Sequence, residues 1–220
     1  MRKEIIDYIK EHGHEYDTEG TAYFFYSLVK FKHTKNFLEL GTGLGVTAFA
    51  VAEAMEENKN GRIITVDNSR NVFLQNKIKE FNLNKVDLIN KDISFKEIPL
   101  INYDIIFSDF DRTPLYLQDL ITFFLLNSNL YSSLFIDGLN SFWPGYSYIS
   151  KMISLLKENK IPKIFRDTLN EIEQQKLIHK VKNTKFTQLD IRKRHNEKLQ
   201  TGLTWLKLEP YNVCPEPLME

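Results

Sequence analysis

The stretch NFLELGTGLGVTAFAVAEAM, from Asn36 to Met55, sets Gly41, Gly43 and Gly45 at alternate positions between an apolar run and a segment rich in Ala and Val. The order reads as strand, tight turn, helix. Glycine reaches positive φ without a Cβ clash and lets the backbone approach a ligand, while the first turn of the following helix leaves N–H groups without intrahelical partners. Such a turn suits a polar ligand or a carboxylate. Three further apolar runs end in acids: RIITVD in Asp67, VDLINKD in Asp92 and YDIIFSD in Asp109. Asp67 lies 22 residues beyond Gly45, where a carboxylate can accept two hydrogen bonds from a ribose diol. Asp92, at the same sheet edge, can meet an adenine amino group. Each Asp alone reads as an ordinary turn or cap residue; three at consecutive strand ends after a glycine turn point to a nucleoside site. The spacing is G-x-G-x-G, whereas the dinucleotide fingerprint would put its third glycine at Val46, which points away from nicotinamide and flavin.

The elements that must position these residues follow from periodicity. Residues 2 to 11 and 18 to 32 carry apolar side chains at helical spacing, among them Ile5, Ile6 and Ile9, then Tyr23, Phe24, Leu28 and Phe31. From Asn36 onward, short apolar runs alternate with helix-length segments: NFLEL, RIITVD, KVDLIN, YDIIFSD, SLFIDG and GLTWLKLE. Strands separated by helices build a parallel sheet covered by helices. The richest apolar stretch, LQDLITFFLLNSNLYSSLFIDG, is broken at Asn127, Ser128 and Asn129 and reads as a buried helix followed by a strand. Beyond Pro162 the pattern weakens. Residues 176 to 198 hold eight Lys or Arg against two Asp or Glu, a formal +6, and read as a helix with a solvated face, then a loop before the last strand; a basic lid over an anionic substrate is the sharper alternative.

Bulk properties bound the function. A chain of 220 residues with 42% hydrophobic side chains suits one domain: leading helices over 1–35, a ligand-binding core over 36–145, and C-terminal helices and last strands over 146–220. The 29 basic and 29 acidic side chains balance, so no whole-chain field calls for nucleic acid or an anionic membrane. A single cysteine, Cys214, excludes an internal disulfide framework and a cysteine-rich zinc site. The charged N-terminus and the lack of a long apolar stretch predict a cytoplasmic protein with no membrane span. His12, His14, His33, His179 and His195 lack metal-ligand spacing and read as solvated or locally hydrogen-bonded.

From about Asp17 to Tyr146 the sequence resembles the class I S-adenosylmethionine-dependent methyltransferases, more narrowly the catechol and caffeoyl-coenzyme A O-methyltransferase branch. Glu19 and Gly20 match an E-G pair that opens a helix there, FLELGTGLGVTAFA matches the cofactor loop, and LFIDGLNSFWPG stands at the end of the fifth strand. The resemblance implies an α/β, Rossmann-like, doubly wound and mostly parallel seven-stranded sheet, with helices on both faces and an N-terminal helical extension. It implies S-adenosylmethionine as cofactor, held by Glu39, Gly41, Thr42, Gly43, Thr47, Asp67, Asn68, Asp92, Ile93 and Asp109. In this assignment Gly41 and Gly43 line the methionine portion, Thr47 meets its carboxylate, Asp67 the ribose, and Asp92 with Ile93 the adenine.

The acceptor half departs from the pattern. Metal-dependent members hold one divalent cation, such as magnesium, on the fourth-strand Asp and an Asp-Asn pair, and the cation orients two neighbouring oxygens of the acceptor. Here Asp109 and Asp137 supply two carboxylates, but Gly138 stands where the Asn belongs, leaving Asn140 or water as substitutes. Arg112 stands where these enzymes commonly place a lysine base, and arginine stays protonated in proteins. Arg112 and Trp143 are therefore candidate acceptor contacts, and Asp109 and Asp137 the candidate proton acceptors. The expected activity is methyl transfer to an oxygen or nitrogen of a small molecule, with the homodimer common in that branch left open. Two alternatives stand beside it: a nucleic-acid methyltransferase using the basic segment, against which SDFD replaces an N-P-P-Y-like tetrapeptide, and a cofactor-binding module without turnover.

Overall fold

Asn36–Leu40 (β1) alternates little because its side chains are buried on both faces, as expected of a strand inside a parallel sheet. A computed structural model describes residues 1–13, 18–69, 71–195 and 198–211. The chain divides into two compact units. The first comprises Met1–Ile98 with Tyr103–Phe110, and the second comprises Pro99–Asn102 with the residues from Asp111 onward.

In the first unit, helices α1 (Lys3–His12) and α2 (Glu19–Lys32) precede β1, followed by α3 (Val46–Glu57), β2 (Arg62–Asp67), α4 (Asn71–Glu80), β3 (Val86–Asn90) and β4 (Tyr103–Ser108). All four strands run parallel in the order β3-β2-β1-β4, with Phe37 beside Ile63 on one side and Ile105 on the other. The order reverses between β1 and β4, the kind of point where open α/β sheets bind ligands. Helix α3 is buried from Val46 through Met55, and its small residues let α2 pack closely upon it. Phe25 of α2 meets Phe37 edge-on with centroids 5.3 Å apart and Phe107 at 4.7 Å. Two polar contacts fix α1 over α3. Arg2 donates through Nε to Glu53 Oε2 at 2.8 Å, compensating a carboxylate that is almost wholly buried, and Tyr8 Oη donates to the Leu44 carbonyl at 2.6 Å. The second contact ties the leading helix to the glycine turn itself.

The second unit begins with α5 (Pro114–Leu126), whose proline at the first turn needs no N–H partner. It continues through β5 (Ser128–Asp137), a 3₁₀ turn at Leu139–Ser141, α6 (Trp143–Lys157), α7 (Lys163–Thr168), α8 (Glu171–Asn183), β6 (Thr184–His195) and β7 (Lys198–Pro210). Strand β7 pairs antiparallel with both β5 and β6, and Phe135 stacks on Trp205 at 5.3 Å. Helix α8 opens on a capping box in which Asn170 accepts from the Glu173 N–H and Glu173 from the Asn170 N–H. Within the basic segment expected to be a solvated helix and then a loop, Thr184–His195 is instead a strand. It forms the edge of the sheet, where charged side chains are favoured because they discourage pairing with another chain, so its charge masked its β character.

The seven strands form one mostly parallel sheet in the order β3-β2-β1-β4-β5-β7-β6, the expected α/β, Rossmann-like fold. Among the described residues no helix is long and apolar enough to cross a membrane. His14, Asp17 and the tail around Cys214 lie outside the described residues, as do Asn196 and Glu197 of the basic segment.

Candidate functional site

The end of β1 and the end of β4 meet through main chain. Gly41 has φ +93°, and a Cβ there would lie 2.4 Å from the Asp109 carbonyl oxygen. Gly41 N–H donates to the Val66 carbonyl at 3.0 Å, and Asp109 N–H to the Leu40 carbonyl at 2.9 Å, so the turn is locked to strands on both sides. Gly45, with φ +79°, caps α3; a side chain there would strike the Phe49 ring. Gly43 also has positive φ, with open space beside it.

Around this turn lies a cavity of about 370 Å³ within the first unit, in the range of small-molecule sites. Glu39, Gly41, Thr42, Gly43, Thr47, Asp67, Asn68 and Asp109 all line it. Thr18, Ser69, Phe107 and Phe110 line it as well and were not singled out by sequence, since nothing in their local pattern marks them. Asp92 and Ile93 stand one step outside: Asn68 Nδ2 donates to Asp92 Oδ1 at 2.6 Å, extending the polar wall beyond β3.

Asp67 organises the cavity rim. Its Oδ2 accepts from Gly43 N–H at 2.9 Å, while Oδ1 accepts from the Ser69 N–H and hydroxyl, each at 2.7 Å. Deeper in, Glu39 is fully buried. The Thr65 hydroxyl donates to its Oε2 at 2.5 Å and is joined in turn to the Thr42 hydroxyl at 2.5 Å. The β1–β2 register puts Glu39 beside Thr65, a pairing the sequence alone does not show. Burial pushes the Glu39 carboxyl up to about 8; the negative charges of Asp109 and Asp67 add to the rise, and the Thr65 hydrogen bond opposes it. Among the described residues the lining holds three acids and no Lys or Arg, and the charges of Asp67 and Asp109 favour a ligand carrying positive charge.

No family model matches the chain, and no curated protein matches it significantly. Solved structures do match. An O-methyltransferase from Bacillus cereus in complex with SAH is 14% identical, with a TM-score of 0.60 over 94% of this chain and 92% of that one. The O-methyltransferase TomG from Streptomyces achromogenes, in complex with SAM, is 13% identical with a TM-score of 0.59, covering 95% and 91%. The SAH-bound methyltransferase PaMTH1 of Podospora anserina is 13% identical with a TM-score of 0.58, covering 95% and 89%. The fold is that of the class I O-methyltransferases.

Within this methyltransferase fold, the second unit carries the residues expected near an acceptor. Arg112 Nε donates to the Asp137 carbonyl at 2.8 Å, and its Nη2 lies 3.8 Å from Asp137 Oδ2. Gly138 is left-handed at φ +63°, and a Cβ there would lie 3.0 Å from both Nε and Nη2 of Arg112. Gly145 makes room for the same loop, since its Cβ would lie 2.2 Å from the Arg112 carbonyl oxygen. Asp111 accepts from the Arg112 N–H and from the N–H and hydroxyl of Thr113, which hold its carboxyl below the usual range. Trp143, at the start of α6, is 72% exposed, its ring 6.3 Å from Tyr146.

Asn140, the candidate substitute for a third metal ligand, accepts through Oδ1 from the Gly202 N–H at 3.1 Å. Gly138 offers no side chain, and Arg112 faces Asp137. Among the described residues, no group of three or more His, Cys, Asp or Glu is placed to hold a metal ion. In the basic segment, Lys180 Nζ donates inward to the Ser128 carbonyl, so that lysine is a packing residue rather than part of a basic lid.

Proposed function

We propose that this chain is an S-adenosylmethionine-dependent methyltransferase that methylates an oxygen or nitrogen of a small molecule. The carrying observation is the acid-lined cavity at the glycine turn, closed on one side by the Gly43–Asp67 hydrogen bond. Solved neighbours with SAM or SAH bound share the fold, which supports the reading.

Asp67 is positioned to take the ribose hydroxyls. A carboxylate accepts about four hydrogen bonds, and the Ser69 hydroxyl can rotate to release Oδ1. Asn68, Asp92 and Ile93 form the wall on the adenine side. Gly41, Gly43 and Thr47, with the first N–H groups of α3, face the methionine portion, where backbone donors suit a carboxylate. Asp109 brings negative charge toward a cationic centre. S-adenosylmethionine supplies a methyl group activated by its sulfonium, so the protein has mainly to hold the nucleophile in line and exclude water. For an acceptor that must lose a proton, Asp109 or Asp137 can receive it.

Calorimetric titration with S-adenosylmethionine, S-adenosylhomocysteine and NAD tests the reading. Binding of both adenosyl ligands without NAD is the expected result; binding of NAD alone overturns it.

A further inference from the structure

The two departures from the metal-dependent pattern, Gly138 and Arg112, are one structural feature. The guanidinium lies 3.0 Å from where a Gly138 Cβ would stand, donates to the Asp137 carbonyl and faces the Asp137 carboxylate. An asparagine tolerates left-handed φ better than most residues, so the backbone alone would not bar the expected ligand. The arginine does. Asn140 is committed to Gly202, and a divalent cation beside Asp137 would have to stand against a fixed positive charge.

Resting on the methyltransferase reading, we propose that Arg112 is the built-in counter-charge of Asp137: its guanidinium takes the place beside that carboxylate where a divalent cation would stand. Asp137 then works without metal. A guanidinium donates directed hydrogen bonds but cannot chelate. Gly138 is the companion of Arg112, because a side chain there would crowd the guanidinium.

Manganese binding followed by electron paramagnetic resonance reads this without an acceptor or a cofactor. The wild-type chain is expected to take up no stoichiometric Mn²⁺ at micromolar concentration. The double variant Arg112→Ala, Gly138→Asn restores a ligand and removes the charge, and should bind Mn²⁺ about tenfold more tightly or better. A stoichiometric wild-type site abolished by Asp137→Asn overturns the proposal. So does a double variant that keeps wild-type circular dichroism yet gains no affinity for Mn²⁺. S-adenosylhomocysteine titration of the same proteins separates the two readings: if it fails to bind, the cofactor assignment falls while the manganese result still decides the role of Arg112.

Discussion

The Gly43 N–H donates to Asp67 Oδ2 at 2.9 Å, joining the turn after β1 to the tip of β2. One carboxylate thereby shapes the glycine turn and stands where a ribose is expected. Asp67→Asn removes the charge while keeping the shape. Hydrogen bonds to charged groups contribute roughly 1.5–3 kcal/mol, so affinity for S-adenosylhomocysteine should fall about ten- to a hundredfold by calorimetry. Unchanged affinity would move the ribose away from Asp67.

Glu39 makes stability depend on pH. Its carboxyl is pushed up to about 8 in the folded chain, against 4.5 for an unburied one, so between these values the folded state holds a proton that the unfolded state has released. Stability is greatest below about 4.5 on this account and declines as pH rises toward 8, by an amount on the order of a few kcal/mol. Glu39→Gln keeps a neutral side chain at every pH and should flatten the decline in urea unfolding measured from pH 5 to 8. A variant with the same pH profile as wild type would assign the dependence elsewhere.

Gly41 and Gly43 should respond differently to alanine. At Gly41 the new Cβ meets the Asp109 carbonyl at 2.4 Å as well as an unfavourable φ, and about 3 kcal/mol of destabilisation is expected. At Gly43 only the conformational cost applies, about 1–2 kcal/mol. Chemical denaturation of the two variants checks the order; equal losses would show that the main-chain contact is relieved by a small shift.

Arg112 and Gly138 should be thermodynamically coupled. Gly138→Asn alone forces the side chain against the guanidinium, whereas in the Arg112→Ala background that space is open. The second substitution should cost about 1 kcal/mol less than the first in a double-mutant cycle, measured by thermal or urea unfolding. Additive costs would mean that the guanidinium moves aside freely.

The parallel half of the fold was legible because strands buried on both faces read as continuous apolar runs, and NFLEL, RIITVD and YDIIFSD fall almost on β1, β2 and β4. Strand β6 was not, because an edge strand such as TKFTQLDIRKRH carries the charge of a solvated helix. At the site, the glycine spacing and the strand-end acids located most of the cavity lining. What stayed hidden were relationships across the chain. Thr65 is an ordinary strand former until register sets it against Glu39, and Arg112 and Gly138 look like two independent departures until one is found lying on the other.

The contact between Gly41 and the Asp109 carbonyl bears on what distant sequence likeness can tell. A lineage that abandoned the proposed ligand could replace Asp67 at the cost of three hydrogen bonds at the rim, yet it would still keep Gly41, because the neighbouring main chain leaves no volume for anything else. The first glycine is thus a signature of architecture, whereas the acid at the tip of the second strand is a signature of use. Among chains only 13 or 14% identical, the former speaks for the fold, and only the latter for chemistry.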